Sequence, residues 1–262
     1  MQLRCWLTSL ASLLTLIASD VRAEAITDAR YAAPVDRYGH FALGRPHEYA
    51  RLTATTNIGR KLELQLPDDE VFEDLAPRVV RLAADAPQEI LVIISRRNSG
   101  SRLVLVRLSD NGLSISAQSA AIGTPMRWLN PVGVADLDGD GRAEIAAVIT
   151  PHIGGTLKVY RRSGAELIEV AALAGFSNHV YGSGVLTLST PVSIAGGVYL
   201  LVPDATRLHL RIIALRGGRL IETGRCPLSA PVTGAIELGS AGEVSLGTHV
   251  GRQVVVLGNC VR

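Results

Sequence analysis

Residues 132–173 read VGVADLDGDGRAEIAAVITPHIGGTLKVYRRSGAELIEVAAL, and this stretch decides the fold. It holds four strand-like runs, 133–136, 145–150, 157–161 and 166–173, rich in aliphatic and β-branched residues and parted by turn residues. Between the first two runs lies DLDGDGRAE, residues 136–144. Asp136, Asp138 and Asp140 take positions 1, 3 and 5 of this loop, Glu144 takes position 9, and Gly139 and Gly141 let the backbone bend tightly. A hard cation such as Ca²⁺ takes about six to eight oxygens at roughly 2.3–2.6 Å. Alternating carboxylates on a Gly-rich turn converge on one point and supply them.

The four-run rhythm recurs. It appears upstream from Val79 (VVRLAADAPQEILVIISRRNSGSRLVLVRLSDNGLSISAQS) and downstream from Val185 (VLTLSTPVSIAGGVYLLVPDATRLHLRIIALRGGRLIETGR). A weaker copy starts at His40, and a last one, from Thr233, stops after three strands. ITDARYAAPVDRYGHFALG, from Ile26, parallels LIETGRCPLSAPVTGAIELG, from Leu220, so the N-terminal segment is expected to supply the missing outer strand of the last unit. Units of about 40–55 residues are the length of four-stranded blades. The expectation is an all-β, five-bladed β-propeller, closed by the N-terminal strand completing the last blade. A β-sandwich also has short strands and turn signals, but it explains neither the four-run repeat nor the complementary ends.

Composition agrees with an all-β reading. The chain is 47% hydrophobic but only 4% aromatic, so packing rests on Val, Leu, Ile and Ala, and its 26 glycines suit many tight turns. Residues 1–23 read as a secretory signal: Arg4 as the basic start, an apolar run over 6–18, and Val21-Arg22-Ala23 before the cut. This leaves a single domain, 24–262, bound for a secreted or periplasmic setting. No basic stripe draws phosphate backbones, which argues against nucleic acid. No second apolar run reaches membrane-spanning length. Cys5 leaves with the leader. Cys226 and Cys260 fall on different sheets of the expected layout, which favours free thiols over a bond, although the compartment permits one.

The segment VADLDGDGRAEIAAV resembles the FG-GAP or VCBS repeat family, the blades of the integrin α-chain head. The resemblance implies a loop joining the first two strands of a blade and holding Ca²⁺. Carried across by position, Asp136, Asp138, Asp140 and Glu144 are the side-chain ligands and Arg142 offers its backbone carbonyl. In the second unit Asp85 and Glu89 fall opposite Asp140 and Glu144, but Arg81 and Ala83 replace the other acids; the remaining units keep no acid series. An EF-hand needs an acid at position 12 and flanking helices, whereas position 12 here is Ala147 in a β-type run. The plain alternative is a solvated Asp-Gly turn without metal.

In the expected layout the connections between units share one face. They bring Arg37, Tyr38, Arg127, Trp128, His179 and Tyr181 together, with His152 and His249 on strand connections nearby. In a chain so poor in aromatics, Arg37, Tyr38, Arg127, Trp128, His152, His179 and Tyr181 are candidate partner-binding residues, because Trp and Arg dominate recognition surfaces. The competing reading is loop packing, with Trp128 as a plug. No spacing motif links the histidines into a transition-metal site, and His40, His47 and His209 show no partner. The expected inner strands carry only Asp136 and Glu237 as acids, and no nucleophile, zinc or phosphate-loop motif is present. The functional expectation is a calcium-stabilised module binding protein or glycan outside the cytoplasm. The alternative is a glycan-active hydrolase.

Overall fold

The computed structural model describes residues 23–240 and 242–260. Of the expected leader, 1–23, residues 1–22 lie outside the described residues. Among them the chain is all-β. The first unit contributes β1 (Ile26–Pro34), β2 (Tyr49–Thr56), β3 (Lys61–Gln65) and β4 (Glu70–Phe72). The next contributes β5 (Arg78–Val80), β6 (Glu89–Arg96), β7 (Gly100–Ser109) and β8 (Gly112–Ser119). There follow β9 (Leu129–Ala135), β10 (Glu144–Ile149), β11 (Gly155–Ser163) and β12 (Glu166–Phe176), then β13 (Thr190–Ile194), β14 (Gly197–Pro203), β15 (His209–Arg216) and β16 (Arg219–Pro227). The last strands are β17 (Val232–Leu238), β18 (Glu243–Thr248) and β19 (Gly251–Val256), followed by a 3₁₀ turn over Leu257–Asn259.

The four-run rhythm from Val79 onward is therefore present as antiparallel meanders, β5–β8, β9–β12 and β13–β16, and the final unit stops at three strands. The closed five-bladed propeller is not what these strands form. Twelve strands make one large mixed sheet, ordered β1-β2-β4-β6-β7-β8-β12-β11-β10-β9, with β3 on β2 and β5 on β6. A short parallel pairing, Glu166↔Gln118 and Leu167↔Ser119, joins β12 to β8. β13–β16 and β17–β19 form separate sheets of four and three strands, and none of the three sheets closes.

The N-terminal strand also departs from expectation. β1 pairs with β2, Tyr31 facing Leu52 and Ile26 facing Thr56, and not with the last sheet. Aromatic packing is the physical reason. The Tyr31 ring stacks on Tyr49 at 5.5 Å and on Phe72 at 5.2 Å. In a chain with so few rings, that cluster outweighs a sequence parallel between segment ends.

Burial follows strand position. β6 and β10 are buried along nearly their whole length, as strands covered on both faces must be, and they read as unbroken apolar runs. β16 alternates exposed Arg219, Ile221, Arg225 and Pro227 with buried Leu220, Gly224 and Cys226, and so keeps one face in solvent. Apolar clusters fill successive interfaces. Leu91, Ile93, Leu103 and Leu105 pack with Trp128, Ile145 and Ala147. On the other face of β10, Ala146, Val148, Leu157 and Val159 pack with Leu200, Val202, Ile213 and Leu215. Gly133 permits the close approach of β9 and β13, since a Cβ there would lie 2.6 Å from the Pro191 ring.

Cys226 and Cys260 are bonded, with Cα atoms 4.6 Å apart. The expectation of free thiols fails because the turn after β19 folds the chain end back over β16, which the strand layout alone did not reveal. No helix among the described residues is long and apolar enough to cross a membrane.

Candidate functional site: an acidic loop and a histidine–aromatic cluster

The acidic loop hangs between β9 and β10, whose register pairs Glu144 with Ala135. Asp136 organises it. Its Oδ1 accepts the N–H groups of Gly139 (2.8 Å) and Asp140 (3.1 Å), and its Oδ2 that of Gly141 (2.9 Å). Asp140 Oδ1 accepts the Arg142 N–H at 2.8 Å. Such Asx bonding needs positive φ nearby, supplied by Gly139 (82°) and Gly141 (85°). Leu137 is buried and donates its N–H to Glu144 Oε2 at 3.0 Å. Ala143 donates to Leu82 O at 2.7 Å, tying the loop to the neighbouring meander. The loop is thus held at one end by β9 and at the other by the buried strand β10.

Oxygens of Asp136, Asp138 and Glu144 lie within 4.8 Å of one another, so these three residues can hold a metal ion. Asp140 and Arg142 lie in the same turn but outside that trio. A further cation is built in. Arg161, from β11, donates Nη2 to Asp138 Oδ2 at 2.5 Å and to Glu144 Oε1 at 2.6 Å, and Nε to Glu144 Oε1 at 3.0 Å. Its Nη2 is 3.9 Å from Asp140 Oδ2. The bonds to Glu144 and then Asp138 hold the guanidinium pKa well above its ordinary range. Glu144 is fully buried, so Arg161 neutralises the acid with least access to water.

Sequence reasoning missed Arg161, although a signal was present. In LKVYRR it falls in phase with Leu157 and Val159, both fully buried, and a charge in phase with a core face calls for a buried partner. The second unit repeats the device: Glu89, aligned with Glu144, is buried and accepts bonds from Ser116 and from Arg162, the next residue of β11.

Four of the candidate partner-binding residues, Trp128, His152, His179 and Tyr181, come together, with His40 beside them. The Trp128 indole is parallel to His152 at 6.1 Å and meets His179 edge-on at 4.9 Å. His179 Nε2 lies 2.9 Å from Ser183 O, an acceptor, so Nε2 carries the proton. Its Nδ1 therefore accepts from His152 Nε2, 2.7 Å away. Tyr181 donates its hydroxyl to His40 O at 2.7 Å. Burial, then the neighbouring His179, pushes the His152 pKa down to about 3, and burial lowers that of His179.

Trp128, His179 and Tyr38 are buried, which makes them packing groups of this face; Tyr181 is exposed and His152 half-buried. Trp128 Nε1 donates to Glu73 O at 2.9 Å. Arg37 and Arg127 stand apart from the rings: Arg37 binds Asp68, Pro67 O and Glu70 O, and Arg127 turns back to Met126 O.

His40, read from sequence as partnerless, pairs through Nδ1 with Glu73 Oε1 at 2.8 Å. Glu73 is buried and takes the Ser95 hydroxyl on its other oxygen at 2.6 Å. Burial raises its pKa, against the opposing pull of His40. Glu48, also buried, gathers the N–H groups of Tyr38, Gly39 and His40. These two carboxylates are wholly engaged in holding the 38–40 turn. His47 lies 3.4 Å from the Tyr49 hydroxyl, and His209 pairs with Asp204 at 2.9 Å.

No protein-family model matches the chain, and no curated protein matches it.

Proposed function

We propose that this protein is an extracytoplasmic binding module, for a protein or a glycan, whose acidic loop takes up Ca²⁺. One observation carries the reading: oxygens of Asp136, Asp138 and Glu144 converge on a loop braced between β9 and the buried strand β10. Three carboxylates, Asp138, Asp140 and Glu144, face the single guanidinium of Arg161, and Asp136 adds a fourth acid to the loop, so acids outnumber the cation set among them. Oxygen ligands on a turn favour a hard divalent ion over a transition metal. The loop pattern also supports kinship with FG-GAP or VCBS repeats, a kinship of the loop and its hairpin.

The disulfide between Cys226 and Cys260 supports a secreted or periplasmic setting, since such bonds persist in oxidising compartments. Tyr181, with His152 behind it, is the exposed part of the histidine–aromatic face and the place where a partner would sit. A binding module is preferred to a glycan hydrolase because Glu48 and Glu73, buried near this face, are committed to internal hydrogen bonds, and a glycosidase needs two carboxyl groups open to its substrate.

The test is affinity capture with the full chain on native envelope extract and on a glycan panel, with Ca²⁺ and with chelator. Calcium-dependent retention of a partner, lost on Tyr181→Ala, is expected. Turnover of a glycosidic substrate, or retention indifferent to both calcium and Tyr181, contradicts the reading.

A further inference from the structure

The three-stranded sheet ends on an unpaired edge. β17, β18 and β19 lie in that order, and among the described residues no strand pairs with the outer side of β19. The β18–β19 register runs without irregularity from Glu243↔Val256 to Thr248↔Gly251, and Leu257 extends it by donating its N–H to Gly242 O at 3.0 Å. Backbone groups in an antiparallel ladder alternate in direction. Gln253, Val255 and Leu257 therefore face β18, while Arg252, Val254 and Val256 aim their N–H and C=O groups outward. The side chains of these three residues are also exposed, Val254 at 60% and Val256 at 39%.

Proteins usually blunt such edges with proline, charge or bulges. The terminal strands β1, β9, β13 and β16 each carry a proline: Pro34, Pro131, Pro191 and Pro227. β19 has neither proline nor bulge, and its one charge, Arg252, is already bonded to Glu237 at 2.9 Å within its own sheet.

We propose that β19 is a homodimerisation edge, pairing antiparallel with β19 of a second copy around Val254. The strand is self-complementary in this arrangement. A two-fold axis through Val254 sets it against its own counterpart, and Arg252 against Val256 of the second copy. Each facing pair then exchanges both of its outward backbone bonds. The valines form one apolar strip on the shared face. Arg252, held by Glu237 of its own sheet, faces the uncharged Val256 of the other copy, so no like charges oppose. An isologous contact of this kind closes at two copies.

Analytical ultracentrifugation of the full chain, and of a version starting at Glu24, tests this. Both are expected to dimerise reversibly. Val254→Pro removes an outward N–H without touching the ladder to β18, and Val254→Lys places like charges on the axis. Each should raise the dimer dissociation constant about tenfold or more, the worth of one to two backbone bonds. Val254→Thr, which keeps the N–H and the bulk, should dimerise like the parent. Hydrogen exchange should show the Arg252, Val254 and Val256 amides protected in step with concentration. A chain monomeric at all concentrations, or one whose dimer survives both Val254→Pro and Val254→Lys, overturns the proposal. Dimerisation of the shortened version alone, lost on Val254→Pro, upholds the edge for the cleaved chain. Protection of those amides in a monomer, seen only with envelope extract, assigns it to an extended peptide partner instead.

Discussion

Arg161 is the residue on which the acidic loop turns. It supplies one positive charge to three acids, Asp138, Asp140 and Glu144, and it touches the only one of them that is fully buried. Replacing it with an apolar residue of similar length leaves Glu144 as a buried, unpaired charge. Arg161→Met is expected to lower stability without added metal by about 3 kcal/mol, the lower end for a broken buried pair. It is also expected to steepen the dependence of stability on Ca²⁺, because the ion then meets an uncompensated cluster. Denaturant unfolding at several calcium concentrations measures both effects. An Arg161→Met protein as stable as the parent in chelator would show that the Arg161–Glu144 pair does not hold the fold.

His152 gives the second expectation at this scale. Its proton affinity is depressed from 6.5 to about 3. As pH falls below about 6.5 the unfolded chain takes up a proton that the folded chain refuses, so stability is lost progressively toward pH 3. His179, lowered by burial, acts in the same direction, while Glu73, raised by burial, acts in the opposite one. The comparison with His152→Gln isolates the His152 contribution: the variant should lose less stability than the parent between pH 7 and pH 4. Equal slopes would mean that His152 is solvated and titrates normally.

At the scale of elements, the loop and its hairpin were legible because their chemistry is local. Asp136 closes a turn with residues three to five positions on, and glycine supplies the positive φ that the turn needs, so a short window of sequence contains the whole structure. The meanders from Val79 were legible for the same reason, since hairpins join neighbours. What escaped were pairings between distant residues. Arg161 with Glu144, His40 with Glu73 and Trp128 with Glu73 each depend on which strands the fold brings side by side. Strand β1 was assigned to the wrong sheet because a likeness between two segments does not name a strand's partner, and three stacked aromatic rings decided it. The disulfide escaped because a short 3₁₀ turn, invisible to periodicity, carries Cys260 back to β16. That bond links residues 34 apart in sequence. Cys226→Ser with Cys260→Ser is expected to cost about 2–4 kcal/mol, read as a lower denaturant midpoint. An unchanged midpoint would mean that the chain end is held without it.

Across the whole molecule, stability comes from apolar clusters shared between successive meanders, with the buried strands β6 and β10 contributing to two clusters each. The acidic loop stands at the end of β10, so a cation bound there is coupled to two of these clusters through one strand. Ligand held by the folded chain and not by the unfolded one adds about 2.7 kcal/mol at a hundred times its dissociation constant. For a chain of this size that corresponds to a rise in melting temperature of roughly 5–10 °C.

The most direct measurement is therefore thermal unfolding of the full chain in saturating Ca²⁺ and in chelator, beside Asp138→Ala. The expected melting temperature rises with Ca²⁺ in the parent and is indifferent to it in Asp138→Ala. A parent that melts at the same temperature in calcium and in chelator would contradict it.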